Sequence, residues 1–270
     1  MDDRTRLWDY VETWHRACAD FVALARTLND EEAARPTDLA GWDVHACIAH
    51  TAHLESLLAG MPQRRAEVPE GLAHVRGPMG TFTEQGVLAR RGRSVAELAD
   101  EVEAGVSIRW AALQADPPTD GSAPPATGFT GLPWDTETLL RNRPLDVWMH
   151  EQDIRRSLGR PGGYDSPAAT HTIGYLAEAL PVVVGKRVAP PPGTTVALEV
   201  PEAGVLGTVT IGDDGRARPG TAEPDVRISL SGEAFVLLAG GRRPAEEVPA
   251  TLEGDERLGR RVLAEMAVTP

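Results

Sequence analysis

The sequence predicts a multidomain protein: an α-helical bundle over residues 1–185, then a small α+β domain over 190–270. Three observations carry that reading. Apolar residues recur with a helical period through the N-terminal part of the chain. Pro190-Pro191-Pro192-Gly193 then punctuates it. Beyond that point the pattern changes to strand-length segments, with Val226-Arg227-Ile228-Ser229-Leu230-Ser231 in clean period two. A length of 270 residues is comfortable for two domains, and 41% apolar content is enough for real cores.

The first helix is expected from Leu7 to about Leu28. Leu7, Tyr10, Val11, Trp14, Ala17, Cys18, Phe21, Val22, Ala25 and Leu28 form its buried stripe, with Leu24 at the edge and His15 beside it on the rim. Pro36 and Gly41 bracket a connection, and Asp43 is placed to cap the second helix, with Trp42 and Cys47 spaced as a hydrophobic staple. That helix carries Cys47, His50, Thr51, Leu54, Leu57 and Leu58 on one side, so His50 falls within the buried stripe, His53 at its edge and His45 off it. Residues 61–92 are rich in glycine and proline and read as a long lid or binding loop, with a short helical piece near Thr83–Ala89. Ser94 and Glu97 have capping-box spacing for a third helix running to about Ala115. After a loop over Asp116–Pro133, a fourth helix begins near Thr136, is expected to kink at Pro144, and stops at Gly159-Arg160-Pro161-Gly162. Asp165–Pro181 offers a shorter fifth helix. In the second domain Thr195–Val200 and Val205–Ile211 read as strands, Asp213-Asp214-Gly215 as a turn and Gly232–Ala239 as a helix ended by Gly240-Gly241. Val248–Leu252 reads as a last short strand and Asp255–Met266 as an amphipathic helix, the whole being a mostly antiparallel sheet with helices on one face.

Charge narrows the partners. The chain has 40 acidic against 27 basic residues, a formal charge of -13, which repels nucleic-acid phosphate. No stretch approaches bilayer length, so neither a nucleic-acid nor a membrane partner is expected. The acidic start runs into an amphipathic pattern without a signal-peptide core, and Cys18 and Cys47 are too few for a disulfide framework. A cytoplasmic protein is expected, as a monomer or homodimer.

The chemistry concentrates in the fourth helix. Asp146, His150 and Asp153, spaced i, i+4, i+7, share one face. A carboxylate and an imidazole at a core edge need partners, either hydrogen-bonding neighbours or a divalent metal ion. Antiparallel packing would bring His50 opposite them, and His50, Asp146 and His150 then describe a catalytic-type site with an open position, zinc being the first choice of ion. Cys47, on the same side of its helix as His50, is a lesser ligand candidate. Arg143, Arg155, Arg156 and Arg160 crowd this helix. They can bind carboxylates of a cosubstrate or substrate, or simply be solvated charge near a helix C-terminus. We assign Arg143 and Arg160 to cofactor binding and Asp153 and Arg156 to the catalytic group, Asp153 as a support for a ligand histidine or for Arg156.

Trp42-Asp43-Val44 leading to Ala49-His50, then Asp146-Val147-Trp148-Met149-His150 and Asp153-Ile154-Arg155-Arg156-Ser157-Leu158-Gly159-Arg160-Pro161, resemble the mycothiol-dependent maleylpyruvate isomerase family. The resemblance implies a DinB-like four-helix bundle with its metal on His50, Asp146 and His150, where the family usually has glutamate in place of Asp146. Asp225–Leu230, Leu237-Leu238-Ala239-Gly240-Gly241, Gly254-Asp255 and Leu258 resemble the family's C-terminal domain, of the sterol-carrier type. It also implies mycothiol, or another low-molecular-weight thiol, as cosubstrate. A metal-activated thiolate would attack a small electrophile, acidic ones included, in isomerisation or S-transfer. Two other readings stay open: a metal-dependent hydrolase using bound water, and a non-catalytic binding or regulatory protein stabilised by its metal.

Overall fold

A computed structural model describes residues 2–129 and 132–269, so Thr130 and Gly131 of the expected 116–133 loop lie outside the described residues. The contacts divide the chain between Gly163 and Tyr164, not at 185–190, into two compact units. The first holds α1 (Asp3–Ala25), a short α2 (Asp30–Ala33), α3 (Val44–Leu58), α4 (Gly77–Leu88), α5 (Val95–Ala115) and α6 (Thr136–Leu158).

Local chemistry sets the ends of these helices. Asp43 accepts from the Ala46 amide at 2.7 Å, and Ser94 and Glu97 form the reciprocal capping box. Helix α1 ends earlier than expected, at Ala25, because Asn29 opens α2 with a capping box of its own through Glu32. Helix α6 is continuous across Pro144 and closes at Gly159, whose φ of 66° is a left-handed conformation that glycine adopts without steric cost. Helix α1 packs on α5 and α6, and α3 on α4, α5 and α6. Leu7, Val11, Phe21, Ile48, Leu98, Val102, Val147 and Ile154 are wholly buried between them, and Leu24, expected at the stripe edge, is buried too.

The 61–92 segment differs from its prediction. Helix α4 spans Gly77–Leu88 instead of a short piece at Thr83–Ala89. Its glycines lower the intrinsic propensity, but a proline in the first turn presets the backbone and Glu84, Gly86 and Val87 are buried. Gly86 is required for the approach to α3: a Cβ there would lie 2.0 Å from the ring of His53. Tertiary packing overrides a weak local signal.

The second unit begins with α7 (Pro167–Ala177) and α8 (Leu180–Val182), which runs into a π-helical turn over Val183–Val188. Helix α7, which the sequence reading assigns to the first domain, packs on the sheet of this unit, which explains where the division falls. The strands are β1 (Thr195–Val200), β2 (Val205–Ile211), β3 (Ala217–Pro219), β4 (Val226–Ser229) and β5 (Thr251–Gly254), in spatial order β3-β2-β1-β4-β5. Only the β1–β4 pairing is parallel among these strands. Strand β1 is central and buried on both faces, which is why it reads as an apolar run rather than an alternation. The last strand lies a little beyond the expected Val248–Leu252, because Val248 instead closes a 3-10 turn and is buried. Helices α9 (Gly232–Ala239) and α10 (Glu256–Ala264) complete the unit. The expected combination of a helical domain and an α+β domain is therefore the architecture of the chain.

Candidate metal centre

Helix α3 brings His50 and α6 brings Asp146 and His150 to one place in the first unit. His50 and His150 are buried, at 4% and 6% exposure. His50 Nε2 lies 3.5 Å from Asp146 Oδ2, and His150 Nε2 lies 3.8 Å from Asp146 Oδ1. The two imidazole rings meet edge to face with centroids 4.7 Å apart. All three ligand atoms fall within 4.8 Å of one another. Ligands at about 2.1 Å from a tetrahedral ion are separated by about 3.4 Å, so the three donors fit a divalent ion after a small contraction.

The protonation states agree with that use. Burial holds the His50 imidazole below its ordinary pKa, with Asp146 pulling the other way, so a neutral ring is favoured. Burial alone would raise the Asp146 carboxyl, but Arg143 and the two histidines outweigh it and hold the group well below the usual carboxylate range. A carboxylate facing two imidazole nitrogens is a donor set for a hard or borderline cation.

A second set overlaps the first. Cys47, His150 and Asp153 also place ligand atoms within 4.8 Å, on the far side of the His150 ring. His150 Nδ1 is 3.2 Å from Asp153 Oδ2, close enough for an electrostatic contact yet without the alignment of a hydrogen bond. Asp153, however, is engaged by the guanidinium of Arg156, which also donates to Asp38 at 3.0 Å. Asp146 likewise carries a guanidinium on one oxygen, Arg143 Nη1 at 3.0 Å from Oδ2, so the two sets differ in their donors, the first offering two imidazoles and a carboxylate.

The surroundings were only partly visible in the sequence. Trp42 lies tilted against both rings, its centroid 5.0 Å from that of His50 and 5.8 Å from that of His150, walling the centre. Its indole N–H donates to Glu84 at 2.9 Å, and His74 Nε2 lies 3.2 Å from the same oxygen. Gly41, at φ 81°, leaves room for the His74 ring, which a Cβ would meet at 2.3 Å. Asp153 and Arg156 do come together beneath His150. Arg143 is fully buried, and its guanidinium is engaged by Glu55 and Asp146. Arg160 lies apart from the triad, paired with Glu32 and with Thr27 Oγ1. Arg155 is held by Glu151 at 2.7 Å. The other histidines are elsewhere: His45 on the Arg93 carbonyl, His53 against Gln63, and His15 stacked on Trp110 at 4.0 Å. Sequence reasoning missed Glu55, although it follows Thr51 by one helical turn on the buried stripe, where a carboxylate signals a charged partner.

Comparison with known proteins gives the same direction. The model of the mycothiol maleylpyruvate isomerase N-terminal domain matches residues 14–155, and that of the MDMPI C-terminal domain matches residues 170–261. Two solved structures, a mycothiol-dependent maleylpyruvate isomerase and a histidine-to-alanine mutant of it, match with TM-scores of 0.58 and 0.56. Each is 17% identical, and the match covers 93% of this chain and 96% of the other. That likeness is one of fold. No curated protein matches the chain.

Proposed function

The chain belongs to the mycothiol maleylpyruvate isomerase family, and from that premise we propose that it is a metal- and thiol-dependent enzyme acting on a small electrophile. The observation that carries the reading is the convergence of His50, Asp146 and His150, three donors with no fourth among the described residues on that side. Zinc suits this donor set, and a divalent ion there supplies a Lewis acid that keeps an external thiol in its thiolate form at neutral pH.

The chain's own residues have separable tasks. His50, Asp146 and His150 hold the ion, and Trp42 excludes water along one side. Asp153 braces the His150 ring from behind, and Arg156 holds Asp153 in place. Arg143 fixes Asp146 and Arg160 ties the end of α6 to Glu32, so both act here through structure instead of binding the thiol. The nucleophilic sulfur comes from outside: Cys18 is fully buried, with its thiol pushed up by burial, and Cys47 is buried beneath His150. Mycothiol is the proposed source, on the strength of the family. A thiolate held there would add to an electrophilic carbon; its own elimination after bond rotation would give isomerisation, whereas protonation of the adduct, or loss of a leaving group, with the C–S bond kept would give transfer. The protein is placed in the cytoplasm, as a monomer or homodimer; its two cysteines are free and buried, and no described helix is long and apolar enough to cross a membrane.

The test is turnover by zinc-loaded protein of maleylpyruvate and a panel of electrophiles, each with and without mycothiol, paired with X-ray absorption at the zinc edge. Thiol-dependent turnover with sulfur joining nitrogen and oxygen ligands is the expected result. Full turnover without thiol, and no sulfur ligand at saturating thiol, would favour hydrolysis by metal-bound water. Tight zinc binding with no turnover of any kind would leave a structural ion.

A further inference from the structure

Glu55 is completely buried in α3 and anchors a charge network that ends at the metal centre. Its Oε1 accepts from Arg143 Nε at 3.0 Å and Nη2 at 2.7 Å. Its Oε2 accepts from the Trp14 indole at 3.0 Å and faces Arg109 Nη1 at 3.6 Å. Arg109 lies over the Trp14 ring, 4.4 Å from its centroid. The remaining arm of Arg143, Nη1, donates to Asp146 Oδ2 at 3.0 Å, the same oxygen that lies 3.5 Å from His50 Nε2.

A buried cation therefore touches the carboxylate that is to hold a dication. Like charges so placed repel strongly away from bulk water, so Arg143 by itself would oppose the ion. Asp146 cannot balance both. The anion that balances Arg143 is Glu55, and with Arg109 and Asp146 the cluster comes to two negative and two positive charges. Trp14 fixes the second oxygen of Glu55, which keeps the first aimed along the guanidinium edge.

We propose that Glu55 is a positioning residue for the metal centre, balancing and aiming Arg143 so that Arg143 can hold Asp146 toward His50 without repelling the ion. The proposal rests on the metal reading above, and its test does not use catalysis.

Zinc affinity is measured by competition with a chromogenic chelator for the full-length wild type, E55Q and R109Q. E55Q keeps the side-chain size and an acceptor for Trp14 but deletes a negative charge, and should weaken binding by about 10–100-fold. R109Q deletes a positive charge without touching Asp146 and should bind zinc several-fold more tightly. Opposite signs are what charge balance demands, whereas a merely structural network would weaken with either change. E55Q leaves two buried arginines short of an anion and can fail to fold, in which case R109Q alone carries the sign test. The double variant E55Q/R109Q restores the balance and should return close to wild-type affinity. R109Q no tighter than wild type, or a double variant as weak as E55Q, overturns the assignment. Wild-type protein that takes up no zinc overturns the metal reading with it, while zinc uptake unchanged in both single variants overturns only the role of Glu55.

Discussion

Two buried histidines stand one turn apart on α3, and their surroundings differ in kind. Around His53 the neighbours are complementary: Gln63 Oε1 lies 3.1 Å from its Nδ1, and Arg90 reaches in to donate to Ser56 and to the Gly86 carbonyl at 3.1 Å each. Arg90 is balanced by Glu101, which Arg93 also engages. Donor faces acceptor through most of that cluster, although His53 Nε2 is left without a hydrogen-bond partner. Around His50 an imidazole nitrogen, a carboxylate oxygen and a second imidazole nitrogen, all atoms able to accept, lie within 4.8 Å of one another, with Arg143 donating to the carboxylate from behind. Acceptors that face one another need a cation or protons between them, and this is the difference between a ligand histidine and a histidine that serves the core.

The sharpest way to break the comparison is to remove each histidine in turn. His50→Ala, Asp146→Ala and His150→Ala should each abolish stoichiometric binding of a divalent ion, since each takes one of three protein bonds, while His53→Ala should retain a full equivalent. Elemental analysis of purified variants reads this directly. A His50→Ala protein that keeps its metal would move the centre to the Cys47–His150–Asp153 set.

The second effect runs the other way. Glu101→Gln leaves Arg90, whose side chain is 4% exposed, without its anion. Breaking a buried pair by removing one partner costs about 3–5 kcal/mol, and the 11% exposure of Glu101 puts this case at or below the lower end. Denaturant unfolding should show that loss with zinc affinity unchanged. A variant with wild-type stability and weakened zinc binding would show the two clusters to be one system.

How much of this was legible beforehand follows from the same contrast. The bundle, its caps at Asp43 and Ser94 and the second domain were readable because they depend on local period and capping chemistry. The facing of His50 on Asp146 and His150 was readable because helical spacing puts the α6 pair on one face and His50 in a buried stripe. The arginines were legible only in part: Asp153 beside Arg156 was foreseen from its spacing, but the distant carboxylates that also engage Arg143, Arg156 and Arg160, at Glu55, Asp38 and Glu32, were not. Ion pairs between distant segments leave no period. Helix α4 was read too short for a related reason, because its stability comes from burial against α3 while its own glycines argue against it.

The smallest effect is a pH dependence that separates the histidines by proton linkage. Burial first, and then the charge of Arg90, depress the His53 imidazole to about 4. An unfolded histidine titrates near 6.5, so between those values the unfolded chain binds a proton that the folded protein refuses. Stability contributed by the neutral ring is therefore fully present above about 6.5 and is lost as pH falls toward 4, by an amount on the order of 3 kcal/mol. His53→Gln has no proton to refuse and should lack that part of the slope. The measurement is the denaturation midpoint of metal-free wild type and His53→Gln from pH 7 to pH 4.5. Both proteins keep His50, so any pH dependence from the metal centre cancels in the difference. Parallel curves would mean that the His53 ring takes up its proton as readily in the fold as in the unfolded chain, and would put a second cation beside Arg90 where the contrast with His50 requires a neutral ring.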